Sequence, residues 1–330
     1  MKKVITLFIL VLSLVLSLVS CSGTKYNDAL DLIEEGKYSE AYEILSELGN
    51  YKDAKELLSK FRYVPTSATH KNSEDNWSIE FFYDTDNLPL RSVVTTSGGS
   101  QHTVDYTYDA NKDLIKEFFV DSENGESTYS YTYDESRNLI KEIIDHAEGG
   151  YYVTEYTYDE NGRMTSLKYS DAETEYYSST YTYDESGNVL TETFSTPDGY
   201  SSSTTYTYDE NGRKISAVGE TNDGTVENIT FTYDANGNLT KRANICEGEE
   251  LCCDTYVYDE NGNLIKETYE FDGVVEFVYE YTYDANGNVI KTVHTNSDGS
   301  KDTRETVYKL VFIDKKITEK IEKVFEFDYL

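Results

Sequence analysis

From about residue 79 the chain alternates with the two-residue period of a β-strand. Tyr206-Thr207-Tyr208 places two rings on one face and a threonine on the other. The run meets Asp209-Glu210-Asn211-Gly212 and then resumes, as in the later copy Leu264-Ile265-Lys266-Glu267-Thr268-Tyr269. An Asp-x-Asn-Gly segment between two alternating runs predicts a β-hairpin. The expected loop is a type I turn closed by a left-handed residue, which makes a bulge. Glycine fits that last slot because it takes positive φ without steric cost. The aspartate has a structural role there, accepting backbone N–H groups of its own turn.

The unit is written nine times. Its aspartates fall at Asp84, Asp109, Asp134, Asp159, Asp184, Asp209, Asp234, Asp259 and Asp284, always 25 residues apart. A fixed period of this length predicts a repeat architecture. Tyr precedes every aspartate, and Tyr or Phe stands three before it. The glycine slot holds Asn87, Lys112 and Arg137 in the first three copies, so those turns are expected to be looser or differently shaped. A second turn follows about fifteen residues after many of the aspartates, as at Asp198-Gly199 and Asp298-Gly299. Nine repeats then give roughly 18 strands, more than a twisted open sheet carries without curling. The expected fold is mainly β: an antiparallel β-hairpin repeat array over 79–312 that curls into a spiral or solenoid-like sheet. In a simple register the Tyr columns oppose residues such as Leu264 and Lys266, and the Thr column opposes Ile265. Residues 313–330 are expected to form closing strands that cap the array.

The residues before the array are of a different kind. Ala29, Leu30, Leu32 and Ile33, then Ala41, Tyr42, Ile44, Leu45 and Leu48, follow helical 3/4 spacing broken at Gly36 and Gly49. They predict a small α-helical segment over 26–61. Its Gly36-Lys37-Tyr38-Ser39-Glu40-Ala41 stretch resembles the turn and second-helix start of a tetratricopeptide unit. One unit is too little for a peptide groove, and a spacer or cap is the expectation. Residues 62–78 are polar, contain Pro65, and read as a linker.

Residues 1–20 have the layout of a secretory signal peptide, Lys2 and Lys3 followed by an apolar run from Val4 to Val19. Leu18-Val19-Ser20-Cys21 resembles the bacterial lipobox. That resemblance implies cleavage at Ser20, diacylation of Cys21, and a short tether over 21–25. Two acyl chains give stable membrane attachment. The expected location is the extracytoplasmic face of a bacterial cell membrane.

Tyrosine is heavily used, at 32 residues, while proline occurs three times; this suits hydrogen-bonded strands. The net charge of −33 excludes nucleic acid as a partner, since phosphate binding needs clustered Lys and Arg. It also argues against docking on anionic lipid through protein charge. His70, His102, His146 and His294 show no metal-ligand spacing and no nucleophile partner. No catalytic residue and no cofactor are expected. The turns offer oxygen ligands but lack the spacing of a Ca²⁺ loop. Cys246, Cys252 and Cys253 cluster at one second turn, where a Cys246–Cys252 disulfide, metal binding or free thiols are all open.

The repeated Tyr-Asp-x-x-Gly-Asn/Arg-Leu/Val resembles the YD repeats of the Rhs family and covers residues 79–312. That resemblance implies hairpins in a spiralling sheet; some members of the family enclose a toxin and some bind carbohydrate. The expected function is non-catalytic binding or adhesion through a Tyr-rich face that includes Tyr156, Tyr158, Tyr181, Tyr183, Tyr206 and Tyr208. Its partner would be a glycan or another surface protein. An envelope spacer without a small ligand and a glycan-acting enzyme are the alternatives.

Overall fold

The computed structural model describes residues 22–72, 76–121, 125–246 and 249–312. The expected signal peptide, Ser20, Cys21 and the expected capping strands of 313–330 lie outside the described residues. By contacts the chain divides into two compact units, one of which gathers the helices with residues 82–90 and 308–312.

Three helices come first: α1 (22–34), α2 (Tyr38–Leu48) and α3 (Ala54–Leu58). Gly36 and Gly49 take φ of +74° and +55° at the breaks, where only a residue without Cβ avoids strain. Ala29, Ala41, Leu45 and Ala54 are fully buried and form a small core with Tyr26 and Phe61, and Leu310 packs against it. Alanine at three of these positions lets the helices approach closely. The helical segment ends sooner than expected, since Phe61 already begins a strand.

Twenty strands follow. They are β1 (Phe61–Lys71), β2 (Asn76–Tyr83), β3 (Pro89–Thr96), β4 (Gln101–Tyr108), β5 (Leu114–Asp121), β6 (Gly125–Tyr133), β7 (Leu139–His146), β8 (Tyr151–Tyr158), β9 (Met164–Asp171) and β10 (Glu175–Tyr183). The second ten are β11 (Val189–Ser195), β12 (Ser201–Tyr208), β13 (Lys214–Thr221), β14 (Val226–Tyr233), β15 (Leu239–Cys246), β16 (Glu249–Tyr258), β17 (Leu264–Phe271), β18 (Val274–Tyr283), β19 (Val289–Asn296) and β20 (Lys301–Phe312). Each Tyr-Asp turn joins an even strand to the odd strand after it, and each second turn joins that strand to the next even one. β2 to β19 are thus the nine hairpins, and neighbours in sequence are neighbours in the sheet.

The open spiral is not what forms. β1 pairs with both β2 and β20, so the strand pairings close into a twenty-stranded barrel. The extra strand comes from the expected linker. Residues 62–71 are strand, with Val64 and Ala68 buried and Ser67 to Lys71 in register with Glu80 to Asn76. Pro65 suggests a break because it has no N–H to donate. It keeps its carbonyl, which accepts the hydroxyl of Tyr83. Closure removes the unpaired edges that an open array would expose.

The turn has the expected form. In the Asp209 copy, Gly212 N–H donates to Asp209 C=O at 3.0 Å and Asp209 N–H donates to Arg213 C=O at 2.9 Å, with Gly212 at φ +75°. The first three turns do not differ: Asn87, Lys112 and Arg137 take φ of +63°, +63° and +69° with the same hydrogen bonds. At Arg137 a contact offsets the cost. Its guanidinium forks onto Asp113 of the preceding turn at 2.8 and 2.9 Å and reaches the Asn111 carbonyl at 2.9 Å. Asp113 is buried at 2% exposure, so the pair carries a charge that has little water.

The simple register fails by one residue. Tyr206 opposes Ala217 and Thr207 opposes Ser216, but Tyr208 opposes Lys214. A second bulge, beyond the turn, absorbs one residue of the return strand. Lys266 consequently opposes Val257 of the Thr column and Glu267 opposes Tyr256, while Leu264 opposes Tyr258 as expected. The two faces are distinct. All nine residues of the Thr column are exposed, while both Tyr columns are buried or half-buried. On the Thr face, hydroxyls pair across strands, as Thr182 with Thr191 at 2.6 Å and Thr207 with Ser216 at 2.6 Å.

Asp113→Ala is expected to destabilise the array by about 2 kcal/mol, because it leaves the Arg137 fork without its anion. Arg137→Gly is expected to destabilise as well, although glycine relieves the positive φ, since Asp113 then stays buried without a cation. Urea unfolding with far-UV circular dichroism measures both. A stabilised Arg137→Gly variant would show that turn strain outweighs the pair.

Candidate functional site

The turn aspartates are fully used where they stand. Asp209 Oδ1 accepts the N–H groups of Asn211 and Arg213 at 2.9 Å each, and Oδ2 accepts the Arg213 Nε–H at 2.6 Å. In the Asp184 copy the Asn188 side-chain amide takes the place of the guanidinium, at 2.8 Å. The Arg213 N–H holds the Asp209 carboxyl below the usual carboxylate range, as the Asn188 side chain does for Asp184. These carboxylates do the work of the turn.

In seven copies, from Tyr133 to Tyr283, the tyrosine just before the aspartate is tied to the preceding repeat. Tyr158, Tyr208 and Tyr258 donate their hydroxyls to the carbonyls of Leu139, Val189 and Leu239 at 2.8, 2.8 and 2.9 Å, and Tyr183 reaches Met164. In these seven copies the acceptor lies 19 residues upstream, and Tyr83 reaches Pro65, 18 upstream. The reason is local. Pairing between β11 and β12 stops at Thr191–Thr205, so the Val189 carbonyl meets a ring hydroxyl instead of a strand N–H.

In five copies the tyrosine two positions earlier meets a carboxylate. Tyr156 donates to Glu142 at 3.3 Å, and Tyr181 and Tyr206 both donate to Glu192, at 3.2 and 2.8 Å. Cations cover two of these rings: Lys214 Nζ lies 3.9 Å from the Tyr206 centroid, and the Arg163 guanidinium lies 4.7 Å from that of Tyr183. Thus Tyr156, Tyr158, Tyr181, Tyr183, Tyr206 and Tyr208 share one face, but their hydroxyls are spent on the sheet itself.

A different set of rings on that face is freer in its chemistry. Tyr152 stacks on Tyr169 at 5.8 Å and 12°, Tyr169 meets Tyr177 at 5.2 Å, and Tyr177 meets Phe194 at 5.4 Å. Phe194 continues to Tyr200 at 6.2 Å, and His146 adjoins Tyr152 at 6.2 Å. Tyr176 joins because a bulge between Glu175 and Tyr177 turns an extra residue onto the face; its ring lies 5.5 Å from Tyr169 and its hydroxyl donates to Asp171 at 2.6 Å. The ladder crosses β7 to β12 near the second turns. A shorter group repeats it at Tyr269, Phe277, Tyr279 and His294, with centroids 4.4–5.7 Å apart. The signal for it is present in the columns: aromatics seven before and ten after the aspartate in adjacent copies, as Tyr152, Tyr169, Tyr177 and Phe194.

The cysteines do not form the suggested bridge. Cys252 is a free thiol opposite Asn244, while Cys246 lies opposite Glu249. A residue inserted between the Glu250 and Cys252 pairs offsets the two cysteines along the hairpin, away from direct opposition. Cys253 is also free and buried, and burial pushes its thiol up to about 11. The histidines are separate. His70 stacks on Trp77 at 5.1 Å, and His102 pairs with Asp121 at 2.8 Å.

Burial pushes Tyr106 and Tyr256 up to about 12, and raises Tyr131, Tyr156, Tyr206 and Tyr281 as well, with nearby glutamates adding to the shift in the last four. Groups whose folded pKa is raised contribute stability that is whole below pH 10 and lost as pH climbs through about 12. Alkaline titration is therefore expected to ionise most tyrosines in one step together with loss of the sheet signal. Gradual phenolate absorbance centred near pH 10, with the sheet intact, would contradict it.

Comparison with known proteins finds a family likeness in the repeats. Residues 142–254 match the model of the Teneurin YD-shell family, and residues 258–301 match that of the RHS repeat. No protein of curated function matches the chain. Among solved structures, the TcdB2-TccC3-Cdc42 complex is similar at 18% identity with a TM-score of 0.43, over 72% of this chain and 14% of that one. The Photorhabdus luminescens Tc holotoxin pore gives 16% and 0.41, over 74% and 16%. A porin-like protein from Bacteroides uniformis gives 14% and 0.36, over 74% and 98%. The chain thus spans about a seventh of the first of these. With two adjoining family matches over an array of nine like turns, the chain is an Rhs/YD-repeat-like protein.

Proposed function

We propose that this is an exported, lipid-tethered and non-catalytic binding protein, and that its aromatic ladder takes a carbohydrate chain. The observation that carries the reading is the run of rings from Tyr152 through Tyr169 and Tyr177 to Phe194, in three steps of 5.2–5.8 Å. Flat aromatic faces in a row suit the apolar faces of successive sugar rings, and half-buried tyrosines supply both an apolar body and a polar tip. The six tyrosines nearest the turns serve the fold, which moves the binding surface toward the second turns.

The tether rests on the Leu18–Cys21 sequence, and two acyl chains at Cys21 would hold the protein at the membrane. Charge on the Thr face supports a tethered sheet over a lipid-embedded one. Lys141 pairs with Glu155 at 3.8 Å, Lys241 with Glu250 at 2.6 Å and Lys291 with Glu305 at 3.2 Å, and Lys or Glu on a lipid-facing strand costs about 2–4 kcal/mol at mid-membrane.

Affinity electrophoresis of the mature protein through soluble polysaccharides tests the proposal. Retardation is expected by at least one neutral or amine-bearing polymer. Tyr169→Ala or Tyr177→Ala is expected to weaken it by about tenfold, the loss of one good ring contact. Tyr183→Phe is expected to leave it unchanged. Absence of retardation in every polymer would leave a spacer of the envelope as the reading.

A further inference from the structure

The rows around the ladder have a consistent charge. Asp171 stands directly opposite Tyr152 in the β8–β9 register. Glu142 opposes Thr154, which opposes Tyr169, which opposes Tyr177, so a carboxylate shares one cross-strand row with two ladder rings. Glu192 is the next residue on the same face below Phe194. The Tyr-face positions of β7 to β12 at this level carry these three carboxylates and, among the described residues, no Lys or Arg. The Tyr176 hydroxyl holds the Asp171 carboxyl below the ordinary carboxylate range.

Elsewhere on the sheet, tyrosine rings are covered by the chain's own cations. Arg213 lies 4.8 Å from the Tyr233 centroid, and Lys309 lies 4.0 Å from that of Tyr83. An ammonium over a tyrosine face is attracted by the ring quadrupole, and a carboxylate beside it adds to the attraction. The described contacts of the ladder rings are ring–ring and ring–carboxylate instead. The cation that this arrangement favours is one that the ligand brings.

We propose that the ladder selects amine-bearing glycans, polymers of protonated amino sugars, and rejects acidic ones. The proposal rests on the carbohydrate reading above. Stacking on Tyr169 and Tyr177 binds the sugar faces, while Asp171, Glu142 and Glu192 pair with the ammonium groups. An anionic chain meets the same three carboxylates and is repelled, and the net charge of −33 adds to the repulsion.

The test uses the mature protein with chitosan oligosaccharides, the same oligomers fully N-acetylated, and oligogalacturonates, by titration calorimetry at low salt and pH 6. The expected result is at least tenfold tighter binding of chitosan than of its N-acetylated form, no binding of oligogalacturonate, and a preference that shrinks as salt is raised. Asp171→Asn with Glu142→Gln is expected to reduce the preference below threefold. Glu155→Gln, which removes one charge from the Thr face, is expected to leave the preference intact. Tyr169→Ala, which leaves the net charge unaltered, is expected to abolish it.

Equal affinity for the amine and N-acetyl forms, or binding of oligogalacturonate, would overturn the selectivity and leave the carbohydrate reading standing. A preference that survives Tyr169→Ala, or falls equally with Glu155→Gln, would assign it to overall charge and overturn the proposal. Failure of all three oligomers to bind would overturn the ladder as a carbohydrate site.

Discussion

Much of this array depends on one hydrogen bond, which seven of the tyrosines before the turns, Tyr133 to Tyr283, donate to a carbonyl 19 residues upstream. The bond exists because the backbone leaves a place for it. A bulge on the return strand shifts the register by one, the pairing with the following strand stops short, and a carbonyl near the turn faces a ring rather than an N–H. A buried carbonyl without a partner would cost about 1–3 kcal/mol, and the hydroxyl removes that cost. The donor belongs to the next repeat, so the bond also sets the distance between repeats. The second tyrosine of each pair adds a contact to glutamate at several strands, as Tyr131 does with Glu117 at 2.8 Å. Tyrosine can serve in both columns, whereas phenylalanine could pack but not donate.

Closure follows from the same arithmetic of partners. Eighteen strands from nine turns would leave two edges, each a row of unpaired backbone groups. β1 and β20 complete the sheet by pairing with each other and with the ends of the array. Their sequences are less regular than the repeats, yet each keeps part of the pattern. Pro65 supplies the carbonyl for Tyr83, and Tyr308 and Lys309 occupy the tyrosine and aspartate columns where a tenth turn would fall. The Lys–Glu and Arg–Asp pairs on the Thr face, such as Arg91 with Asp105 at 2.5 Å, couple a repeat to the one after it across exposed surface. Their individual worth is small, roughly 0–1 kcal/mol.

The sequence made the hairpins, their turn type and the 25-residue period legible, because the turn chemistry is local and repeats without error. Three features needed longer range. The second bulge carries no glycine or proline to mark it, so the simple register places Lys266 opposite the Tyr column instead of Val257. The strand at 62–71 was masked by Pro65 and by polar residues that suit an exposed face equally well. Arg137 in the glycine slot suggested a distorted turn, whereas a partner 24 residues away, Asp113, compensates it. As for the ligand surface, the strongest columns in the sequence proved to be the ones the sheet consumes. The ladder from Tyr152 to Phe194 is a weaker periodicity that only some of the repeats carry, and it depends on the register between strands. A residue that repeats in every unit is explained by what every unit needs; specificity is better sought in what only some of them carry.

The central claim is that the tyrosine hydroxyls before the turns, and not merely the rings, hold successive repeats together. Replacing Tyr158, Tyr183 and Tyr208 by Phe, singly and together, and comparing urea midpoints with those of Thr157→Val, Thr182→Val and Thr207→Val on the opposite face, measures this directly. The account predicts a loss of about 1 kcal/mol for each Tyr→Phe change, growing with number, and little change for the Thr→Val set. Tyr→Phe variants as stable as the parent would contradict it.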